Sequence, residues 1–139
     1  IRRYRRRISG PLIDRIDIHV AVQRVKYEEM VSDKLSESSQ AIATRVTAAR
    51  NIQLRRFSGT GIFCNAQMSH RQIKNTCRIT KEAQELLRQV FEKMKLNARS
   101  YDRIIKVAQT IADLSEEGAI GGAHMAEAVQ LRLAINEHG

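Results

Sequence analysis

The stretch LNARSYDRIIKVAQTIADL, residues 96–114, decides the fold. Its apolar side chains Tyr101, Ile104, Ile105, Ala108, Ile111 and Ala112 recur at spacings of one, three and four, which places them on one face of an α-helix. Asn97 precedes the stripe as a helix cap, because its side-chain oxygen can accept one of the unsatisfied N–H groups of the first turn. A face this apolar needs other helices to bury it. They are predicted on both sides.

Upstream, Thr80 caps a helix with Glu82 in its first turn, where an acid suits the helix dipole, and a stripe Ala83, Leu86, Leu87, Val90, Phe91, Met94. Ser69 caps a short helix carrying Ile73 and Cys77. Ser38 or Ser39 caps another that runs to about residue 57, with Ile42, Val46, Ala49, Ile52 and Phe57 as its core side. The loop SGTG (58–61) stops it. Downstream, SEEG (115–118) breaks the chain before a last helix from about Gly122 to Asn136. Short loops favour antiparallel neighbours, so the fold class is mainly α, a bundle of about five helices. No repeat or low-complexity tract interrupts the chain.

Composition agrees with a helical domain. Of 139 residues 42% are apolar, enough for a core, while there is one Pro and no Trp. The formal net charge is +9, but five arginines crowd the first seven positions, and the remainder carries 19 basic against 15 acidic residues. The basicity is thus largely a local patch, joined by Arg50, Arg55 and Arg56, of the kind that attracts phosphate groups. A solvated charge run is the alternative. Two cysteines form neither a paired metal motif nor a disulfide framework. No apolar run reaches membrane-spanning length and no apolar signal core follows the basic start, so a cytoplasmic protein with no membrane partner is expected. The absence of an initiator Met points to processing or a boundary within a longer chain.

The first 22 residues, IRRYRRRISGPLIDRIDIHVAV, differ from the rest. Pro11 opens a turn or short helix start that ends at Arg15. The alternation of Ile18, Val20 and Val22 over residues 17–25 predicts a strand, with His19 and Gln23 on its other face. No second strand is legible, so this one must pair outside the chain or with another copy. Residues 26–37 are polar and read as a linker.

Three stretches taken together, YRRRISGPLIDRIDIHV (4–20), SSQAIATRVTAARNIQLRRF (38–57) and LNARSYDRIIKVAQTIADL (96–114) with AEAVQLR (126–132), make the chain similar to the C-terminal part of the magnesium-chelatase-like AAA+ ATPases, of the competence-protein ComM type. The resemblance implies that residues 1–25 are the last strip of an AAA+ core with one strand, and that residues 38–139 are its helical lid. It implies that Arg15 is an arginine finger reaching the ATP of an adjacent subunit. A forked, permanently charged guanidinium suits a transferring phosphoryl group. Without the resemblance, an ion pair of Arg15 with Asp14 or Asp17 is the simpler reading.

The resemblance also implies that Arg99, with Arg103 as second choice, is the sensor 2 residue that touches nucleotide from the start of a lid helix. The sequence departs from the family at Asn97, where a small residue is expected, and at Gln109, where an Arg is. A phosphate role for Gln109 is therefore not expected.

The chain contains no GxxxxGK[ST] loop and no acidic pair after a strand. ATP and Mg²⁺ therefore belong to the longer parent, and this chain is expected to bind neither alone. Its expected partners are its own AAA+ core, neighbouring subunits of a hexamer, and DNA in a helicase of recombination or transformation. A metal-chelatase ATPase subunit is the first alternative. A small nucleic-acid-binding module, reading through helix 39–57 with Arg45, Arg50, Arg55 and Arg56, is the second. Cys64, His70 and Cys77 match no standard zinc spacing, so no metal site is expected. Ser38 and Ser39 have no evident base beside them. The chain by itself should release no phosphate from ATP, which a steady-state phosphate assay checks.

Overall fold

The computed structural model describes residues 15–27, 31 and 36–133. Five helices follow in order: α1 Ser39–Arg56, α2 His70–Thr76, α3 Lys81–Lys93, α4 Ala98–Leu114 and α5 Gly122–Leu133, with one 3₁₀ turn at Asn65–Gln67 between α1 and α2. The expected stretch beyond Leu133 and the turn before Arg15 lie outside the described residues.

The caps form where the sequence places them. Ser38 accepts from Ala41 N at 3.2 Å, Thr80 from Ala83 N at 3.2 Å and Asn97 from Ser100 N at 2.8 Å. Ser69 and Gln72 make a reciprocal capping box at the start of α2. His124 caps α5, its Nδ1 accepting from Gly121 N at 3.1 Å. At the other end of α4, Glu117 N donates to Ala112 O and Glu116 N to Asp113 O, a Schellman ending that holds Glu116 at φ 57°.

α4 is the central rod. It packs along α5 and also receives α1, the 3₁₀ turn and α2, while α3 lies on α5. Ile104, Ile105, Ala108 and Ala112 of its stripe are buried, together with Ala83 and Leu87 of α3 and Met125, Ala128 and Val129 of α5. Phe91 and Tyr101 meet edge to face at 6.1 Å. A parallel bridge between Ile79 and Ile120 sets the starts of α3 and α5 side by side. There the Glu82 carboxylate sits against Gly122. A Cβ at Gly122 would lie 2.6 Å from it, so a larger residue there requires the Glu82 side chain to swing aside.

One expectation is corrected, and the strand expected to pair outside the chain finds no partner strand among the described residues. Residues 39–47 of α1 are all exposed, Ile42 and Val46 by 42% and 45%, because that half of the helix extends past α4 and meets no described element. Residues 17–25 form no strand. Among the described residues no second strand exists to pair with, so Ile18, Val20 and Val22 stand 48%, 69% and 91% exposed.

One polar cluster lies inside the bundle. Asp113 on α4 is completely buried and takes both arms of Arg56 from α1. Asn65 Nδ2 donates to the same carboxylate at 2.7 Å, and Gln109 Nε2 donates to it at 3.2 Å. Gln53 Oε1 accepts from Asn65 N at 3.2 Å. Removing one partner of a buried pair strands the other's charge, so Asp113→Ala should destabilise the domain by about 3 kcal/mol in urea unfolding.

Cys77 packs against the core, and burial pushes its thiol up to about 11 from an ordinary 9.0. The unfolded chain therefore loses this proton first as pH rises, and the native state binds more protons between those values. Stability should fall as pH climbs from about 9 to 11, and Cys77→Ser should flatten that part of the unfolding profile.

Candidate functional site

The functional reading of the sequence rests on Arg15, Arg99 and Arg103. α4 positions the last two. Arg99 lies in its first turn, directly after the Asn97 cap, and is exposed. It makes no ion pair among the described residues. A guanidinium beside free helix N–H groups is suited to an anion.

Arg103 is one turn further along and is turned elsewhere. Its Nη1 donates to Arg15 O at 2.6 Å and pairs with the Asp17 carboxylate. Asp17 is thereby engaged by Arg103 and not by Arg15. The Arg15 side chain is exposed and has no ion pair among the described residues. So the structure brings the Arg15 segment and α4 together through the Arg15 backbone, and leaves the Arg15 and Arg99 guanidinium groups exposed, with no ion pair among the described residues.

α5 adds two contacts that the sequence does not announce. Arg132, at its end, donates from Nη1 to Ile16 O and from Nη2 to Ser100 Oγ at 3.5 Å. His19 is 7% exposed; its backbone N–H donates to Leu131 O at 2.8 Å, and its Nδ1 lies 3.1 Å from Arg132 O, the geometry of an N–H donor. His19 Nε2 is buried without a partner among the described residues. Asp17 and Ile18 also wall a groove with Val107, Ile111 and Leu131. The strap 15–19 is thus laid over the junction of α4 and α5.

Gln109, where the family pattern has Arg, is 2% exposed and spent on Asp113. It faces no anion. Cys64 Sγ donates to Gln67 Oε1 at 3.6 Å, and His70 Nδ1 contacts Asp102 at 2.7 Å. No three Cys, His, Asp or Glu side chains gather in a way that could hold a metal among the described residues.

Charge divides by element. Residues 38–81, which contain α1 and α2, hold eight basic side chains and no Asp or Glu. Residues 82–133 hold seven basic and eight acidic ones. Two of the eight in the first part are neutralised, Arg45 by Glu37 at 2.5 Å and Arg56 by Asp113. The other six, Arg50, Arg55, Arg71, Lys74, Arg78 and Lys81, remain exposed. The signal was legible as a run of 44 positions without an acid, but net charge alone hides it. No described helix is long and apolar enough to cross a membrane.

Residues 36–132 match the family model described as magnesium chelatase, subunit ChlI C-terminal, and residues 1–30 match that of magnesium chelatase, subunit ChlI. The competence protein ComM of Haemophilus influenzae is 32% identical over 137 residues, covering 97% of this chain and 26% of its own length. The uncharacterized protein YifB of Escherichia coli is 32% identical over 94% of the chain and 25% of its own length. The uncharacterized protein Rv2897c of Mycobacterium tuberculosis is 31% identical over 94% and 26%. The chain spans about a quarter of the length of these curated relatives. With its caps, its central α4 and most of its length matched, the chain belongs to the magnesium chelatase ChlI family, and residues 36–132 are that family's helical C-terminal domain.

Proposed function

We propose that this domain is the lid of a ring-forming AAA+ ATPase that acts on DNA, and that Arg15 is the finger it offers to the neighbouring subunit. The observation that carries the reading is that the backbone of Arg15 is tied to α4, the helix that opens with Arg99, while both guanidinium groups stay exposed and without an ion pair among the described residues. An unpaired arginine held on a fixed backbone is a stabiliser for charge that arrives from outside.

ATP phosphates fit Arg99, whose guanidinium is exposed beside the helix N-terminus. The described residues offer no cluster for Mg²⁺, which in this reading is held elsewhere in the ring. When bound, the nucleotide supplies the phosphoryl group whose transfer drives the motor. Arg99 binds it from the lid, and Arg15 faces the site of the next subunit. DNA is favoured as the load by the acid-free part, residues 38–81, whose exposed cations suit a phosphate backbone. The similarity to a competence protein, ComM, agrees with that choice, and we place the parent in recombination or natural transformation. The description of the family as a magnesium chelatase favours the second reading, an ATPase subunit that drives metal insertion.

Hydrolysis by the complete protein, with and without branched DNA, separates these. DNA should stimulate turnover, and Arg15→Ala should lower it by roughly 10³-fold with ring assembly intact. Replacing Arg50, Arg55, Arg71 and Lys74 by Ala should weaken DNA binding and flatten its dependence on salt. A turnover indifferent to DNA would favour the chelatase reading. Full activity in Arg15→Ala would remove the finger.

A further inference from the structure

A strap with no sheet partner should drift, yet residues 15–19 are tied at four points to two helices. Arg103 from α4 and Arg132 from α5 each donate to one of two consecutive carbonyls, those of Arg15 and Ile16. Arg103 also holds the Asp17 carboxylate. His19 closes the set from the other direction by donating its backbone N–H to Leu131 O and its Nδ1–H to Arg132 O. Arg132 further reaches Ser100, the neighbour of Arg99 in the first turn of α4. Guanidinium groups suit this task because one planar fork can serve two acceptors at once, and charge strengthens each bond. Arg103 and Arg132 grip the two peptide carbonyls that directly follow the Arg15 side chain and leave that side chain exposed.

We infer that Arg103 and Arg132 are positioning residues that lock the Arg15 strap to the nucleotide-contacting helix, so that finger and lid move as one body. This rests on the reading of Arg15 as finger and Arg99 as nucleotide contact. Arg99 and Arg103 sit one turn apart on α4, so a shift of α4 when Arg99 takes up phosphate carries the Arg15 backbone with it. The state of one subunit's own ATP then sets where its finger stands in the next. Arg103 accordingly binds no nucleotide. A coupled pair of this sort needs a rigid connector with a defined position, which these ties supply.

The test is steady-state hydrolysis by the ring-forming protein that carries this chain. Arg103→Ala should lower kcat by about 10- to 100-fold, the cost of a misplaced catalytic group, with KM for ATP unchanged. Asp17→Ala should act in the same direction. Asp17 is half exposed and outside the core, so folding is not at stake there. In an Arg15→Ala background neither change should cost anything more. Arg99→Ala should instead raise KM.

An Arg103→Ala enzyme with raised KM, an unchanged kcat, or a loss that adds fully to that of Arg15→Ala would overturn the inference. A second readout is independent of the finger. Hydrogen exchange at the His19 amide should be slow in this chain and at least about tenfold faster in Arg103→Ala and Arg132→Lys, since its protection then depends on a loosened strap. Unchanged exchange sinks the lock even if Arg15 is the finger. Faster exchange in a protein whose Arg15→Ala form is fully active keeps the lock and discards the finger.

Discussion

Asp113 has no exposure to solvent, and a carboxylate in that position must be paired or the helix that carries it cannot stay where it is. Arg56 pairs with it through both arms, and Asn65 and Gln109 complete its shell. That single requirement fixes the end of α1 and the 3₁₀ turn against α4. Hydrophobic contact alone would tolerate sliding, because one apolar face fits another in several registers. The bidentate pair does not. The rest of the architecture follows from α4 being held in place: α5 lies along it, α3 lies on α5, and the strap 15–19 crosses their junction.

Much of this was readable from local signals. The α4 stripe, the caps at Ser38, Ser69, Thr80 and Asn97, and the stop at residues 58–61 depend only on neighbours within a few positions, so they survive without tertiary knowledge. What failed to show depends on distance. Asp17 and Arg103 are 86 residues apart, and nothing in their local sequence marks them as partners. Alternation at residues 17–25 describes a strand correctly in propensity, but pairing needs a second strand that the described residues do not contain. Ile42 and Val46 keep helical spacing yet stay exposed, because spacing says which face is apolar and not whether anything covers it.

The site divides in the same way. The place of Arg99 in the first turn after the Asn97 cap was a local fact, whereas its nucleotide role is implied by the resemblance. Arg15 was legible only through the resemblance of LIDRID to a family motif. Arg103 could not be assigned from sequence, since a lid arginine one turn into the helix can serve the nucleotide or the strap, and its geometry gives it the strap. Charge followed a third pattern. The net value of +9 drew attention to the arginines at the start, whereas the acid-free run from 38 to 81 is where the exposed cations of α1 and α2 gather.

The central claim is that Arg15 serves a neighbour's nucleotide. Mixing two inactive forms of the complete ring tests it most directly: subunits with Arg15→Ala, and subunits whose phosphate-loop lysine is removed. If the finger acts across the interface, mixed rings contain junctions where an intact Arg15 meets an intact ATP site, and hydrolysis reappears as the two are combined. If Arg15 served its own subunit, every subunit would lack one part, and the mixture would stay as inactive as its components.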